Sequence, residues 1–179
     1  MSYIYIPNFV KNPDEVFKKL WNETAWERHE KVPRREYYSN DNNEPYTYGN
    51  PLYARTYFPK PLHEEVKIIR EALEERFETL LDVCFMNGYE DHRDNLGWHA
   101  DDSPEMDDAR PIVTVSLGAE RFIMFRRNDD EANEEKVLLE HGSACVMLPG
   151  MQDTHKHRIP KHGSACGPRI SLTFRGFVK

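Results

Sequence analysis

A chain of 179 residues with 39% hydrophobic, 12% aromatic and 31% charged residues has length for one filled core and too many aromatics for a disordered segment. Its 24 basic and 31 acidic residues give a net charge of −7, which argues against a strongly basic, nonspecific nucleic-acid binder but leaves room for a local cationic strip. No apolar run reaches membrane-spanning length, and the polar opening "MSYIYIPNFVKNPDEVF" lacks a signal-peptide core. Three cysteines, Cys84, Cys145 and Cys166, show no CxxC spacing and read as reduced, partly buried thiols. The expected setting is the cytoplasm or nucleus, with no membrane.

In chain order, Asn12-Pro13-Asp14-Glu15 reads as an N-cap, a proline at the first helical position and acids in the first turn, opening a helix to about Asn22. Residues 28–60, rich in Pro, Asn, Tyr and Gly, read as loops and short strands. Within them "KVPRRE" is a dense basic cluster, followed by Tyr37, Tyr38, Tyr46 and Tyr48. It is either a solvated loop with ordinary or core-packed tyrosines, or a strip facing nucleic acid. A second helix is predicted from about Leu62 to Leu81, where Val66, Ile69, Ala72, Leu73, Phe77, Leu80 and Leu81 keep the helical period.

After residue 82 the pattern changes to short strands: "DVCFMNGY", "GWHAD", "RPIVTVSLG", "ERFIMFRR", "KVLLE", "SACVMLP", "THKHRI" and "PRISLTFRGFV". Turn residues separate them, which indicates a β-sandwich or jelly roll with the helices packed on one outer face, an α+β chain. One domain is expected, with residues of about 1–82 as an N-terminal recognition region and about 83–179 as the core.

"GWHADDSPE" places His99 and Asp101 two apart, so a strand projects both from one face. Two histidines and a carboxylate with open positions suit non-haem Fe(II). The second histidine must come from a distant strand. His155 and His157 share a face by alternation, which does not choose between them. Arg169-Ile170-Ser171-Leu172-Thr173-Phe174-Arg175 alternates strictly: either its polar face meets water, or it lines a lumen where two arginines hold a dicarboxylate.

Together, "NGY…WHADD…PIVTVSLGAERFIMFR…LLEHGSACVM…HKHRIPK…PRISLTFR" resembles the AlkB family of Fe(II)- and 2-oxoglutarate-dependent dioxygenases, nearest its nucleic-acid alkylation-repair branch. The resemblance implies a double-stranded β-helix (jelly-roll) core and an enzyme using Fe(II), 2-oxoglutarate and O2. It implies His99, Asp101 and His157 as iron ligands, with His157 preferred to His155. Arg169, Arg175, Asn87 and Tyr89 match cosubstrate-binding positions. Asp102 matches a carboxylate near the base's exocyclic amine, and Tyr48 an aromatic stacking on the base. Arg34 and Arg35 are candidate phosphate contacts.

The implied reaction is oxidative removal of N-alkyl lesions such as 1-methyladenine or 3-methylcytosine from DNA or RNA, with release of formaldehyde. The implied partner is single-stranded nucleic acid or a flipped base, and the implied state is a monomer. Ser171 stands where the family pattern "RxNLTFR" usually has Asn, and Glu90 to Leu96 matches loosely. Two alternatives remain: a same-fold oxygenase acting on RNA, protein or a small molecule, and a nonenzymatic metal-binding jelly-roll module.

Overall fold

The computed structural model describes residues 2–48 and 54–178. Its elements are β1 (Tyr3–Ile6), α1 (Pro13–Glu23), β2 (Glu27–Arg28), β3 (Arg35–Asn40), β4 (Tyr46–Tyr48), β5 (Arg55–Tyr57) and α2 (Glu64–Phe77). They continue with β6 (Val83–Tyr89), β7 (Leu96–His99), β8 (Ile112–Gly118), β9 (Arg121–Arg127), β10 (Asp130–Leu139), β11 (Ala144–Met147), α3 (Met151–Thr154), β12 (His155–Ile159) and β13 (Arg169–Arg175).

The strands form a jelly-roll sandwich. A seven-stranded sheet runs β1-β11-β8-β13-β6-β3-β2 and a four-stranded sheet runs β10-β9-β12-β7, with β4 and β5 as a separate ribbon. β13 lies between β6 and β8, pairing antiparallel with both. Its alternation sends Ile170, Leu172 and Phe174, all fully buried, against the helices. There they meet Leu20 of α1 and Val66, Ile69 and Leu73 of α2. The opposite face sends Ser171, Thr173 and Arg175 into the space between the sheets. Tyr89, Ile123, Phe125, Met147 and Ile159 form a second apolar cluster that unites residues of both sheets.

Several boundaries differ from expectation. Asn12 precedes α1, yet its side chain makes no capping bond; its carbonyl accepts from Val16 N at 3.1 Å. α2 is shorter at both ends than the predicted span; at its C-terminal end Glu78 takes a left-handed conformation (φ 49°) and closes the helix. Leu81 is then fully buried as the chain turns toward β6, while Ala72 and Leu80 stay exposed. β1 lies in a stretch not expected to be a strand, and β10 extends well ahead of "KVLLE". β1 and β3, from the region before residue 82, complete the larger sheet. Gly118 closes β8 at φ +90°, and a Cβ there would sit 2.4 Å from the Pro168 carbonyl oxygen.

Candidate functional site

The register between β7 and β12 sets His157 directly opposite His99, and the pairing is irregular beyond it, before Ile159. Asp101 follows two residues after His99. The ligand atoms of His99, Asp101 and His157 lie within 4.8 Å of one another, a spacing suited to one metal ion. His157 Nε2 is 3.4 Å from Asp101 Oδ2, and His99 Nε2 is 3.7 Å from Asp101 Oδ1. His99 Nδ1 faces the Gly97 carbonyl at 2.9 Å, which makes Nδ1–H the donor and leaves the Nε2 lone pair for a metal. His155 stays outside this group, with Nδ1 at 2.8 Å from Thr154 Oγ1.

The electrostatics keep the three groups in ligand form. Burial, then the neighbouring His157, pushes His99 down to about 4, so its imidazole is neutral at pH 7. Burial alone raises the Asp101 carboxyl, but Arg175 and then His157 and His99 hold it well below the usual carboxylate range. Gln152, on α3, accepts from the Asp101 backbone N–H at 2.9 Å. Arg175 donates to the Asp101 carbonyl and, at 2.9 Å, to the Tyr46 hydroxyl. Gln152 was not singled out in the sequence, since it belongs to no motif, and Tyr46 was read only as one of the tyrosines after the basic cluster.

A cavity opens on this cluster, lined on one side by Tyr46, Tyr48, Tyr57 and Phe85 and on another by Asn87, Tyr89, Ser171 and Arg175. Tyr48 meets the His99 ring edge-on at 6.4 Å between centroids. Arg169 is fully buried behind Tyr89, its guanidinium carbon 5.0 Å from the ring centroid. One of its nitrogens donates to Ser116 Oγ at 2.8 Å; among the described residues Nε and Nη1 have no partner, and neither has the buried Tyr89 hydroxyl. Arg121, also buried, lies 5.5 Å from the same ring and secures the carbonyls of Asp94 and Pro160. Burial and then Tyr89 and Arg121 act on Arg169, and the net effect lowers it to about 10. A buried guanidinium with two donors unpaired and no carboxylate partner among the described residues fits an anionic ligand such as the distal carboxylate of 2-oxoglutarate.

The expected site residues therefore divide. His99, Asp101, His157, Asn87, Tyr89, Arg175 and Tyr48 line one cavity, with Arg169 behind it. Asp102 is exposed and does not line it. Arg34, expected as a phosphate contact, instead lines the cavity: its side chain is 12% exposed, and Asn87, Glu36 and the Asn95 carbonyl take its N–H donors. Arg35 points to the helix side, paired with Glu90 and lying over Trp21. The tyrosine strip is largely core, since Tyr37, Tyr38 and Tyr46 are buried, and only Tyr46 and Tyr48 of the four reach the cavity.

A three-ligand metal set between jelly-roll sheets, beside a cationic recess, defines a metal-dependent oxygenase architecture. The chain belongs to the 2OG-Fe(II) oxygenase superfamily, whose family model matches residues 4–175. Fe(II), 2-oxoglutarate and O2 are the groups that this membership implies.

Among similar proteins, the Bos taurus "Alpha-ketoglutarate-dependent dioxygenase alkB homolog 3" is 29% identical over 94% of this chain. The Mus musculus "DNA oxidative demethylase ALKBH2" is 30% identical over 80% of it. The chain spans 64% and 62% of those two proteins' lengths. The solved structure of OsALKBH1 superposes with a TM-score of 0.71 at 18% identity, covering 98% of this chain and 96% of that one, which supports the fold.

Proposed function

We propose that this protein is an Fe(II)- and 2-oxoglutarate-dependent demethylase of nucleic acid. Its substrates are N-alkylated bases such as 1-methyladenine and 3-methylcytosine in DNA or RNA. The observation that carries the reading is the cavity itself: the metal-ligand set shares it with a wall of tyrosines, and behind Tyr89 on another wall lies a buried guanidinium with donors unpaired among the described residues. A nonenzymatic metal-binding module has no use for that guanidinium.

In this reading His99, Asp101 and His157 hold the iron, and Arg175 and Gln152 fix the Asp101 backbone. Arg169 and the Tyr89 hydroxyl take one carboxylate of the cosubstrate, and Asn87 donates to it from the cavity wall. Iron, 2-oxoglutarate and O2, when bound, supply the oxidation of an N-methyl carbon that then leaves as formaldehyde. Tyr48, edge-on to His99, offers its face to the base; such stacking contributes about 1–3 kcal/mol. Lifting a base from a duplex costs a few kcal/mol and less in a single strand, so a single-stranded or flipped base is the expected partner of a monomeric enzyme. Asp102, exposed just after the metal ligand, would act from outside the cavity, on the base as it enters. A place of action in the cytoplasm or nucleus accords with that substrate.

The test supplies Fe(II), 2-oxoglutarate and O2 with 1-methyladenine or 3-methylcytosine oligonucleotides, as DNA and RNA, beside a methylated peptide. Formaldehyde and restored base are the expected products. Succinate formed without restored base from any oligonucleotide would keep the oxygenase and overturn the nucleic-acid assignment.

A further inference from the structure

We propose that Glu36 and Arg34 form a positioning relay that fixes which end of the Asn87 amide faces the cosubstrate. The inference rests on the function proposed above, and it concerns residues that the metal and the anion recess do not use.

Glu36 lies on β3 directly opposite Asn87 on β6, and both side chains line the cavity. Glu36 is 1% exposed. A buried carboxylate beside an unrestrained asparagine would accept from Nδ2 and turn the amide oxygen outward. Arg34 prevents this. It stands between the two side chains, donating from Nε to Asn87 Oδ1 at 2.8 Å and from Nη2 to Glu36 Oε1 at 3.1 Å. A guanidinium has only donors, so the atom facing it must be the amide oxygen. Asn87 Nδ2 is thereby left as a donor for an acceptor oxygen in the cavity, as a carboxylate ligand requires. Glu36 holds Arg34 in place and is itself held from the ribbon, by Arg55 and by the Tyr57 hydroxyl at 3.2 Å. Burying a carboxylate is costly, and an apolar residue would fill the position without that cost, so the charge is best understood as serving the arginine.

The test measures Mn(II) affinity and then 2-oxoglutarate affinity by calorimetry on the Mn(II)-loaded protein, without O2. Arg34→Lys keeps the cation near Glu36 but lacks the planar fork needed to serve both partners. It is expected to weaken 2-oxoglutarate binding about tenfold or more, as the loss of a charge-assisted hydrogen bond does, with Mn(II) affinity unchanged within about twofold. Glu36→Gln, of the same shape, is expected to weaken it in the same direction. The double variant should lose little more than Arg34→Lys alone, because both substitutions interrupt one path. Melting curves of the metal-free variants check that each is folded.

The relay is overturned if wild type binds 2-oxoglutarate and both folded single variants bind it equally well. It is also overturned if Mn(II) and 2-oxoglutarate affinities fall together, the mark of a general structural role, or if the two losses simply multiply. A wild-type protein that binds Mn(II) but no 2-oxoglutarate overturns the proposed function, and the relay with it.

Discussion

Replacing Arg169 by methionine should make the ligand-free protein more stable while removing its affinity for 2-oxoglutarate. Arg169 is fully buried, with one hydrogen bond to Ser116 at 2.8 Å and two nitrogens unpartnered among the described residues. A guanidinium held at about 10 instead of 12.5 costs the folded state about 3 kcal/mol. Methionine of similar length removes that cost. It forfeits the Ser116 bond, worth about 1.5 kcal/mol, and a ring contact with Tyr89 worth about 0.5–1 kcal/mol. The balance is a gain of about 0.5–1 kcal/mol, or about 1–4 °C in melting temperature for a chain of this size. Wild type with Mn(II) should gain about 2.7 kcal/mol when 2-oxoglutarate is added at a hundredfold excess over its Kd, and the variant should gain nothing. Melts with and without 2-oxoglutarate would thus cross over: variant above wild type without ligand, below it with ligand. A variant that melts lower without ligand would mean that the guanidinium is already satisfied by the protein, and an equal ligand-induced gain would mean that another group binds the carboxylate.

Three further outcomes are expected. His157→Ala should abolish the Mn(II)-induced rise in melting temperature, which chelation should reverse in wild type, whereas His155→Ala should keep most of it; equal loss in both would displace the metal from the 99–101–157 cluster. Gly118→Ala should lower the denaturation midpoint by the equivalent of about 2 kcal/mol or more, since its Cβ would meet the Pro168 oxygen at 2.4 Å and the Phe17 ring at 2.6 Å, and an unchanged midpoint would contradict that packing. Asp102→Asn should leave the Mn(II)-induced shift intact and raise the KM for a methylated oligonucleotide several-fold; loss of the metal shift would place Asp102 on the wrong side of the site.

What was legible in the sequence follows from how local each signal is. β8 and β13 sit in the sheet interior, where apolar runs and strict alternation are imposed by packing on both faces, and they lie close to the expected segments. The His-x-Asp pair is visible because its two ligands are neighbours in sequence, although β7 ends at His99 and Asp101 lies just beyond it, not on the expected strand. β10 was only half visible: at the sheet edge its polar, mostly acidic residues 130–135 meet water and carry no alternation. β1 is a four-residue edge strand, bounded by a turn signal, Pro7-Asn8, on one side only. Alternation along "RFIMFRR" does put Arg121 on the inner face with Ile123 and Phe125, but an arginine at a strand end ordinarily reads as exposed. Glu36 and Arg34 sit in a polar, basic stretch that reads as solvated, and only the pairing of β3 with β6 turns them inward. Gln152 and Tyr46 matter through contacts with Asp101 and Arg175 formed across 51 and 129 residues.

The lateral pairing of His99 with His157 also governs which length changes the chain can absorb. The two ligands are joined by strand register and not by the chain path, along which they stand 58 positions apart. Extra residues at the surface turn between β9 and β10 lengthen a loop at a small entropic cost and leave the two imidazoles facing each other. A single residue inserted between Gly97 and Asp101, or into β12 ahead of His157, would turn a ligand to the opposite side of its sheet. Relatives of this chain can therefore differ widely in total length while the few residues around each ligand remain fixed in count.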